Sequence, residues 1–209
     1  MIEMRIGFDF DNTIVNYDSV FFKVALEQAL IPQELPRSKL AVRDYLRRTN
    51  REAAWIELQG YVYGMRMNEA DAYSGVIPFM ELARRRGSDL TIVSHKTRKP
   101  FSGAEYDLHA AASEWVERYL VEGDGPLVEQ SQVFFEGTKA EKVARIGACG
   151  CDYFIDDLPE VLLMSDFPTR TVGILFQPNG DDGDGWGGST YGSWEQISTF
   201  FMEKWNTNS

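Results

Sequence analysis

The chain has 209 residues, the size of one domain or of one domain with an insertion, and its 44% apolar and 25% charged residues match a self-folding globular protein. A formal net charge of −11 speaks against nucleic acid as a partner, because its phosphates are bound chiefly by Lys and Arg; small phosphate esters stay open, since a bound divalent cation reverses the local field. No apolar run approaches the roughly 18 residues that span a bilayer, and the first residues carry acids where a secretory leader needs bases, so the sequence reads as a soluble, cytoplasmic protein that is not attached to a membrane.

Taken in chain order, Arg5 to Phe10 is an apolar run that stops at Asp9-Phe10-Asp11-Asn12, the way a short buried strand ends in a polar turn. Residues 18–75 follow, rich in helix formers and aromatics and broken near Pro32 to Pro36 and again at Thr49-Asn50. They predict three helices. That is more than one crossover needs, so 18–75 is expected to be an inserted helical cap, with 1–17 and 76–209 forming the core.

Beyond the insertion, strands are expected at Leu90–Val93, Gln132–Phe135, Tyr153–Ile155 and Thr171–Phe176, and helices at Phe79–Arg86, Tyr106–Leu120, Thr138–Ile146 and Trp194–Trp205. Thr138 and Glu141 have the form of a capping box, and Gly87 and Gly147 are expected to close their helices. Strands alternating with helices predict a Rossmann-like α/β fold, a doubly wound parallel sheet. Cys149 and Cys151 are too close for an ordinary disulfide and too few for zinc, and read as small packing residues. The glycine- and aspartate-rich run 178–188 lacks the closing glutamate of a calcium loop and reads as a surface loop from which Trp186 dips towards the site.

Four polar clusters each stand just beyond a predicted strand: Asp9/Asp11/Thr13, then Ser94, then Lys139 or Lys142 at a helix start, then Asp156-Asp157. Open parallel sheets bind ligands outside the carboxyl ends of their strands, so these clusters are expected to converge. Two adjacent acids ending a buried strand are costly unless a hard cation neutralises them, which points to a divalent metal.

Phe8-Asp9-Phe10-Asp11-Asn12-Thr13 resembles the DxDxT motif of the haloacid dehalogenase-like phosphatases, and the later Ser94, lysine and Asp-Asp pair are similar to that family's remaining motifs in order and spacing. The resemblance covers nearly the whole chain. It implies a Mg2+-dependent phosphohydrolase in which Asp9 attacks phosphorus and Asp11 is general acid and then base. An acid at Asp11 separates a phosphatase or phosphomutase from the dehalogenases and ATP-driven pumps of the same type.

By the same resemblance Mg2+ is held by Asp9, the Asp11 carbonyl, Asp157 directly and Asp156 through water. Asn12, Thr13, Ser94 and His95 are candidate phosphate ligands, Thr13 chiefly fixing the turn. Lys139 and Lys142 both qualify as the phosphate lysine, with a lean to Lys142 because Lys139 is in the exposed first turn. His95 and Lys96 are further candidates for contacts to the substrate. His109 reads as structural. The implied substrate is a small phosphorylated metabolite, a sugar phosphate or a nucleotide; the competing readings are a phosphomutase and a non-catalytic, receiver-like regulatory protein. Oligomeric state is not legible.

Overall fold

The computed structural model describes residues 4–180 and 185–207; Asp181, Asp182, Gly183 and Asp184, the aspartate-rich heart of the 178–188 run, lie outside the described residues. The elements in chain order are β1 (Arg5–Phe8), β2 (Val15–Asn16), α1 (Asp18–Glu27), α2 (Lys39–Arg48), α3 (Glu52–Met65), β3 (Asp71–Ala72), α4 (Val76–Arg85), β4 (Asp89–His95) and α5 (Leu108–Tyr119). They continue with β5 (Val121–Glu122), β6 (Gly125–Pro126), β7 (Val133–Glu136), α6 (Lys139–Cys149), β8 (Tyr153–Asp156), α7 (Pro159–Leu162), β9 (Val172–Phe176), β10 (Ser189–Tyr191) and α8 (Trp194–Thr207).

Six strands pair in parallel in the order β10-β9-β8-β1-β4-β7. From β1 the chain winds outward through β4 to β7 and then returns to the other side of β1 with β8, so the order reverses between β1 and β8. In such a sheet the crevice at the reversal is the natural ligand site, because the loops on either side diverge there.

Helix α4 shows why these segments are helical and where they pack. Its buried residues Val76, Phe79, Met80 and Ala83 recur at the spacing of one helical face. Phe79 meets Phe8 of β1 at 6.1 Å and Trp194 of α8 at 5.4 Å, and Phe201 and Trp205 complete this layer. The other face of the sheet carries a smaller core of Val93, Ile146, Phe154, Leu162 and Leu175. Trp186 packs against that core, its ring lying over Gly173 and Leu162, and its indole donates to the Ser189 carbonyl at 3.2 Å. The expected dip towards the site is therefore replaced by a packing role.

Of the expected capping box the N-cap half is seen: Thr138 Oγ1 accepts from the Glu141 amide at 3.1 Å, a cap worth ~1 kcal/mol, while the Glu141 carboxylate accepts from the Thr138 hydroxyl at 3.0 Å. The expected stop at Gly147 is not seen. Helix α6 runs on to Cys149 and ends where Gly150 takes the left-handed conformation, φ 64°, which a residue with a Cβ adopts only at a cost. Both cysteines are free thiols, Cys151 buried and Cys149 partly so.

Three helices, α1 to α3, occupy the stretch between β2 and β3, and these two short strands pair antiparallel, Val15 opposite Ala72 and Asn16 opposite Asp71. The helices thus leave and rejoin the sheet through one narrow ribbon. Phe21 of α1 packs on Trp55 and Tyr63 of α3 at 5.2 and 5.6 Å. The returning chain is pinned by Trp115 and Tyr119 of α5, which donate to the carbonyls of Ala70 and Asn68.

Candidate active site

Strand β1 delivers Asp9 to the carboxyl end of the sheet, 4% exposed, with its amide held by the Ile155 carbonyl of β8 at 2.8 Å. Ser94, near the end of β4, donates its hydroxyl to Asp9 Oδ1 at 2.9 Å. Lys142 of α6 reaches the same oxygen at 2.6 Å. Two donors on Oδ1 fix the carboxylate plane and leave Oδ2 as the oxygen that can do chemistry. Lys142 Nζ also stands 2.6 Å from Asp156 Oδ2, so one buried ammonium is shared by two buried acids.

The chain turns sharply after Asp11. Asn12 adopts a left-handed conformation at φ 61°, which asparagine tolerates better than most residues. Its Nδ2 donates to Asp157 Oδ2 at 3.3 Å and its Oδ1 accepts from Lys39 at 2.9 Å. Thr13 is fully buried, its hydroxyl 3.5 Å from Asp157 Oδ1 and its carbonyl accepting from the Trp194 indole at 3.2 Å. Asn12 and Thr13 therefore both brace Asp157.

Asp9, Asp156 and Asp157 offer oxygens that all lie within 4.8 Å of one another. Burial and the neighbouring carboxylates push Asp9 up to about 6, against the pull of Lys142, and push Asp157 well above the usual carboxylate range. Asp156 Oδ1 accepts from the Leu158 amide at 3.0 Å and its buried Oδ2 has the Lys142 ammonium beside it but no hydrogen bond, whereas among the described residues Asp157 has the two long contacts from Asn12 and Thr13. Crowded, buried oxygen donors with an excess of negative charge fit a hard divalent cation.

Asp11 has its own partners. Lys96 Nζ lies 2.6 and 2.9 Å from its two oxygens, and the Tyr17 hydroxyl donates to Oδ1. Burial would raise Asp11, but the charge and hydrogen bonds of Lys96 outweigh it and hold the carboxyl below its ordinary value. Lys96 is itself only 4% exposed, sits 4.6 Å over the Tyr63 ring, and has its carbonyl bound by the His109 ring at 2.7 Å.

The remaining sequence candidates divide. Lys139 is not brought to the carboxylates: its side chain is 39% exposed and pairs with Glu160 at 2.9 Å. Helical side chains lean towards the amino end, so a lysine in the first turn overshoots the strand ends, while Lys142 one turn later reaches back onto them. His95 turns its ring to the Gly137 carbonyl at 3.1 Å, and burial holds it below the ordinary histidine value.

Two residues in the site had not been singled out. Tyr17 opens α1 beside Asp11. Lys39 lies 5.4 to 5.6 Å from the ring centres of Tyr17, Phe21 and Tyr63 while bonding Asn12. A signal existed for Lys39: it follows the Ser38 cap, in a first helical turn where the helix dipole disfavours a cation, and a broken local rule often marks a site.

A six-stranded parallel sheet with a strand-order reversal beside Asp9, carboxylates gathered at its carboxyl end, and helices inserted through a two-strand ribbon is a specific combination. Solved structures share the overall fold. A predicted phosphatase from Clostridium acetobutylicum superposes with a TM-score of 0.61 over 97% of this chain and 100% of that one, at 13% identity. A HAD family hydrolase from Deinococcus radiodurans, with bound phosphate and sodium, gives 0.58 over 96% of each chain at 12% identity. A predicted phosphoglycolate phosphatase from Haemophilus somnus gives 0.55 over 95% of this chain and 98% of that one at 14% identity. The fold is that of the haloacid dehalogenase-like hydrolases. No protein-family model matches the sequence and no curated protein does, so at these identities the likeness to haloacid dehalogenase-like structures is one of backbone fold.

Proposed function

We propose that this chain is a Mg2+-dependent phosphohydrolase that cleaves a small phosphate monoester through an aspartyl-phosphate on Asp9. The observation that carries the reading is Asp9 itself: a buried carboxylate with one oxygen held by Ser94 and Lys142 and the other left to attack. A fixed, ionised oxygen aimed at an in-line phosphorus is what a covalent route requires.

Asp9 Oδ2 forms a bond to phosphorus as the bond to the ester oxygen breaks, and Asp11 gives the departing oxygen its proton. Water then attacks the aspartyl-phosphate, passes a proton to Asp11, and restores the Asp9 carboxylate. The ionised Asp11 held by Lys96 and Tyr17 is ready for this second half. In the first half, the incoming phosphoryl dianion draws the Lys96 ammonium onto its oxygens, which lets Asp11 carry a proton taken from solvent or left on it by the attacking water of the previous turnover. Proton transfer of this kind contributes about a hundredfold to ten-thousandfold.

Asp9, Asp157 and the Asp11 carbonyl would hold Mg2+, with Asp156 behind them on Lys142, and the ion supplies positive charge for the phosphoryl oxygens. Four carboxylates, Asp9, Asp11, Asp156 and Asp157, stand against three ammonium groups, Lys39, Lys96 and Lys142; one divalent ion turns that surplus of negative charge into a site for a dianion. Ser94 and Lys142 bind the phosphoryl group, and α1 to α3 form a cap over it, reached through the β2/β3 ribbon.

The test is phosphate release from an aryl phosphate with and without Mg2+, beside Asp9→Asn. Mg2+-dependent release that the variant lacks is expected. A stable phospho-protein with little release would make the chain a phosphomutase instead, and no reaction from metal-loaded protein across a range of esters would sink the hydrolase reading.

A further inference from the structure

We infer that the alcohol part of the substrate is an uncharged, flat, apolar ring system, about two fused rings in size, lodged between α3 and the loop that follows β4. This deepens the proposed function and rests on it. Cavities lie on two sides of the carboxylates. One, of about 200 Å3, has a mixed lining in which Asn12, Lys39, Arg43 and Asp157 stand beside Leu40, Tyr73 and Phe176, the side of the proposed cation. The other, of about 360 Å3, has Asp11 and Lys96 in its floor. A group that protonates the departing oxygen must touch it, so the leaving alcohol occupies the cavity that Asp11 faces.

The walls of that cavity are Ile56, Tyr63, Pro100, Phe101, Leu108 and Leu158. Of the polar groups that line it, His95 is turned to the Gly137 carbonyl and Thr97 to the Lys99 carbonyl, which leaves the Gln59 amide as the main polar group facing the space. A sugar seated here would strip water from several hydroxyls, of which the Gln59 amide could receive one or two, and would leave the others facing hydrocarbon, which is unfavourable for each. Among the described lining residues a second phosphate or a carboxylate would meet no cation but Lys96, which the reacting phosphoryl group already engages. An apolar body meets neither penalty.

Size and shape narrow the class. A dry cavity of about 150 Å3 holds benzene, so about 360 Å3 accommodates two fused rings. The slot is narrow because α3 and the loop touch at its edge: a Cβ added to Gly60 would stand 2.7 Å from Pro100 Cβ. Phe101, at the lip, is 87% exposed, a large aromatic left in water beside an apolar cavity. The loop that carries it is strapped by Arg98 to Asp107 and Lys99 to Glu105 at 3.0 and 2.8 Å. A flat ring sliding into the slot covers Phe101 as it leaves water.

The experiment pairs turnover with binding in the presence of Mg2+. Initial rates are measured for 2-naphthylmethyl phosphate, glucose 6-phosphate and phosphoglycolate, all with alkyl leaving oxygens so that intrinsic reactivity does not decide. Calorimetry compares naphthylmethylphosphonate with methylphosphonate. The naphthyl ester is expected to lead by about a hundredfold in kcat/KM and its phosphonate to bind tighter by a similar factor, as burial of two rings implies. Ile56→Asp and the exposed Phe101→Ser should each cut the preference about tenfold or more, with folding checked by circular dichroism. Turnover with equal or greater kcat/KM for glucose 6-phosphate overturns the inference and leaves the hydrolase reading standing. Tight naphthyl binding with no turnover of any ester supports the pocket and overturns the hydrolase reading.

Discussion

Replacing Asp9 by Asn should abolish turnover and, in metal-free protein at neutral pH, make the fold more stable. Asp9 is buried beside Asp156, and its titration lies at about 6 instead of 3.8, so keeping it ionised at pH 7 costs ~3 kcal/mol. Asparagine removes that charge, keeps an oxygen for the Ser94 hydroxyl and leaves Lys142 paired with Asp156. It also gives up the charge-assisted bond to Lys142, which offsets part of the gain. The net is about 1–2 kcal/mol, or roughly 2–8 °C in a chain of this length.

The pH dependence follows from the direction of the shift. A carboxyl whose folded value is raised favours the fold fully below its unfolded value near 3.8 and loses that contribution as pH rises through about 6. The advantage of Asp9→Asn should therefore be present at pH 7.5 and shrink by pH 5. Thermal melts in EDTA at the two pH values read this out, and repeating them with Mg2+ should reverse the order, since the wild type alone has the full ligand set. A variant that melts several degrees below wild type at pH 7.5 in EDTA would refute the picture of an overcrowded acid cluster.

Lys142→Met should destabilise by about 3–5 kcal/mol, a fall in melting temperature of roughly 6–20 °C, because it leaves Asp9 and Asp156 buried without their shared cation; a loss under about 1 kcal/mol by chemical denaturation would contradict it. Lys96→Met should lower kcat/KM about a hundredfold or more, since Asp11 loses the ammonium that orients it; steady-state kinetics within about threefold of wild type would argue that Lys96 is only structural. Glu69→Gln weakens the cluster in which Arg66 grips Glu69 and Glu27 and should cost ~0.5–1 kcal/mol. Glu69 lies at about 2, held down first by its hydrogen bond from Arg66, so its contribution is present above about 4.5 and lost as pH falls through about 2; a Glu69→Gln stability difference measured by urea titration should be constant from pH 5 to 8.

Much of the architecture is written in short stretches of chain. The apolar run before Asp9, the stripe Val76, Phe79, Met80, Ala83 and the Thr138 box are local patterns, and each local pattern has one low-energy outcome when it is buried. They determine where strands end, and hence that Asp9, Ser94 and Asp156 emerge at the same edge of the sheet. The local pattern does not fix the end of α6, because Gly147 and Gly150 are both permissive glycines, and which one turns left-handed depends on where the helix must hand over to β8.

What only the tertiary structure decided is which charges meet. Lys139 and Lys142 differ by less than one helical turn, yet one pairs with Glu160 in water and the other is shut between two acids. The pairing of Lys96 with Asp11 joins residues 85 positions apart, and Lys39 reaches Asn12 across the inserted helices. Such contacts leave little trace in periodicity, because a lysine contributes the same polar mark to the pattern whether solvent or a carboxylate receives it. Burial separates the two cases, and burial belongs to the assembled sheet and helices rather than to any segment of the sequence.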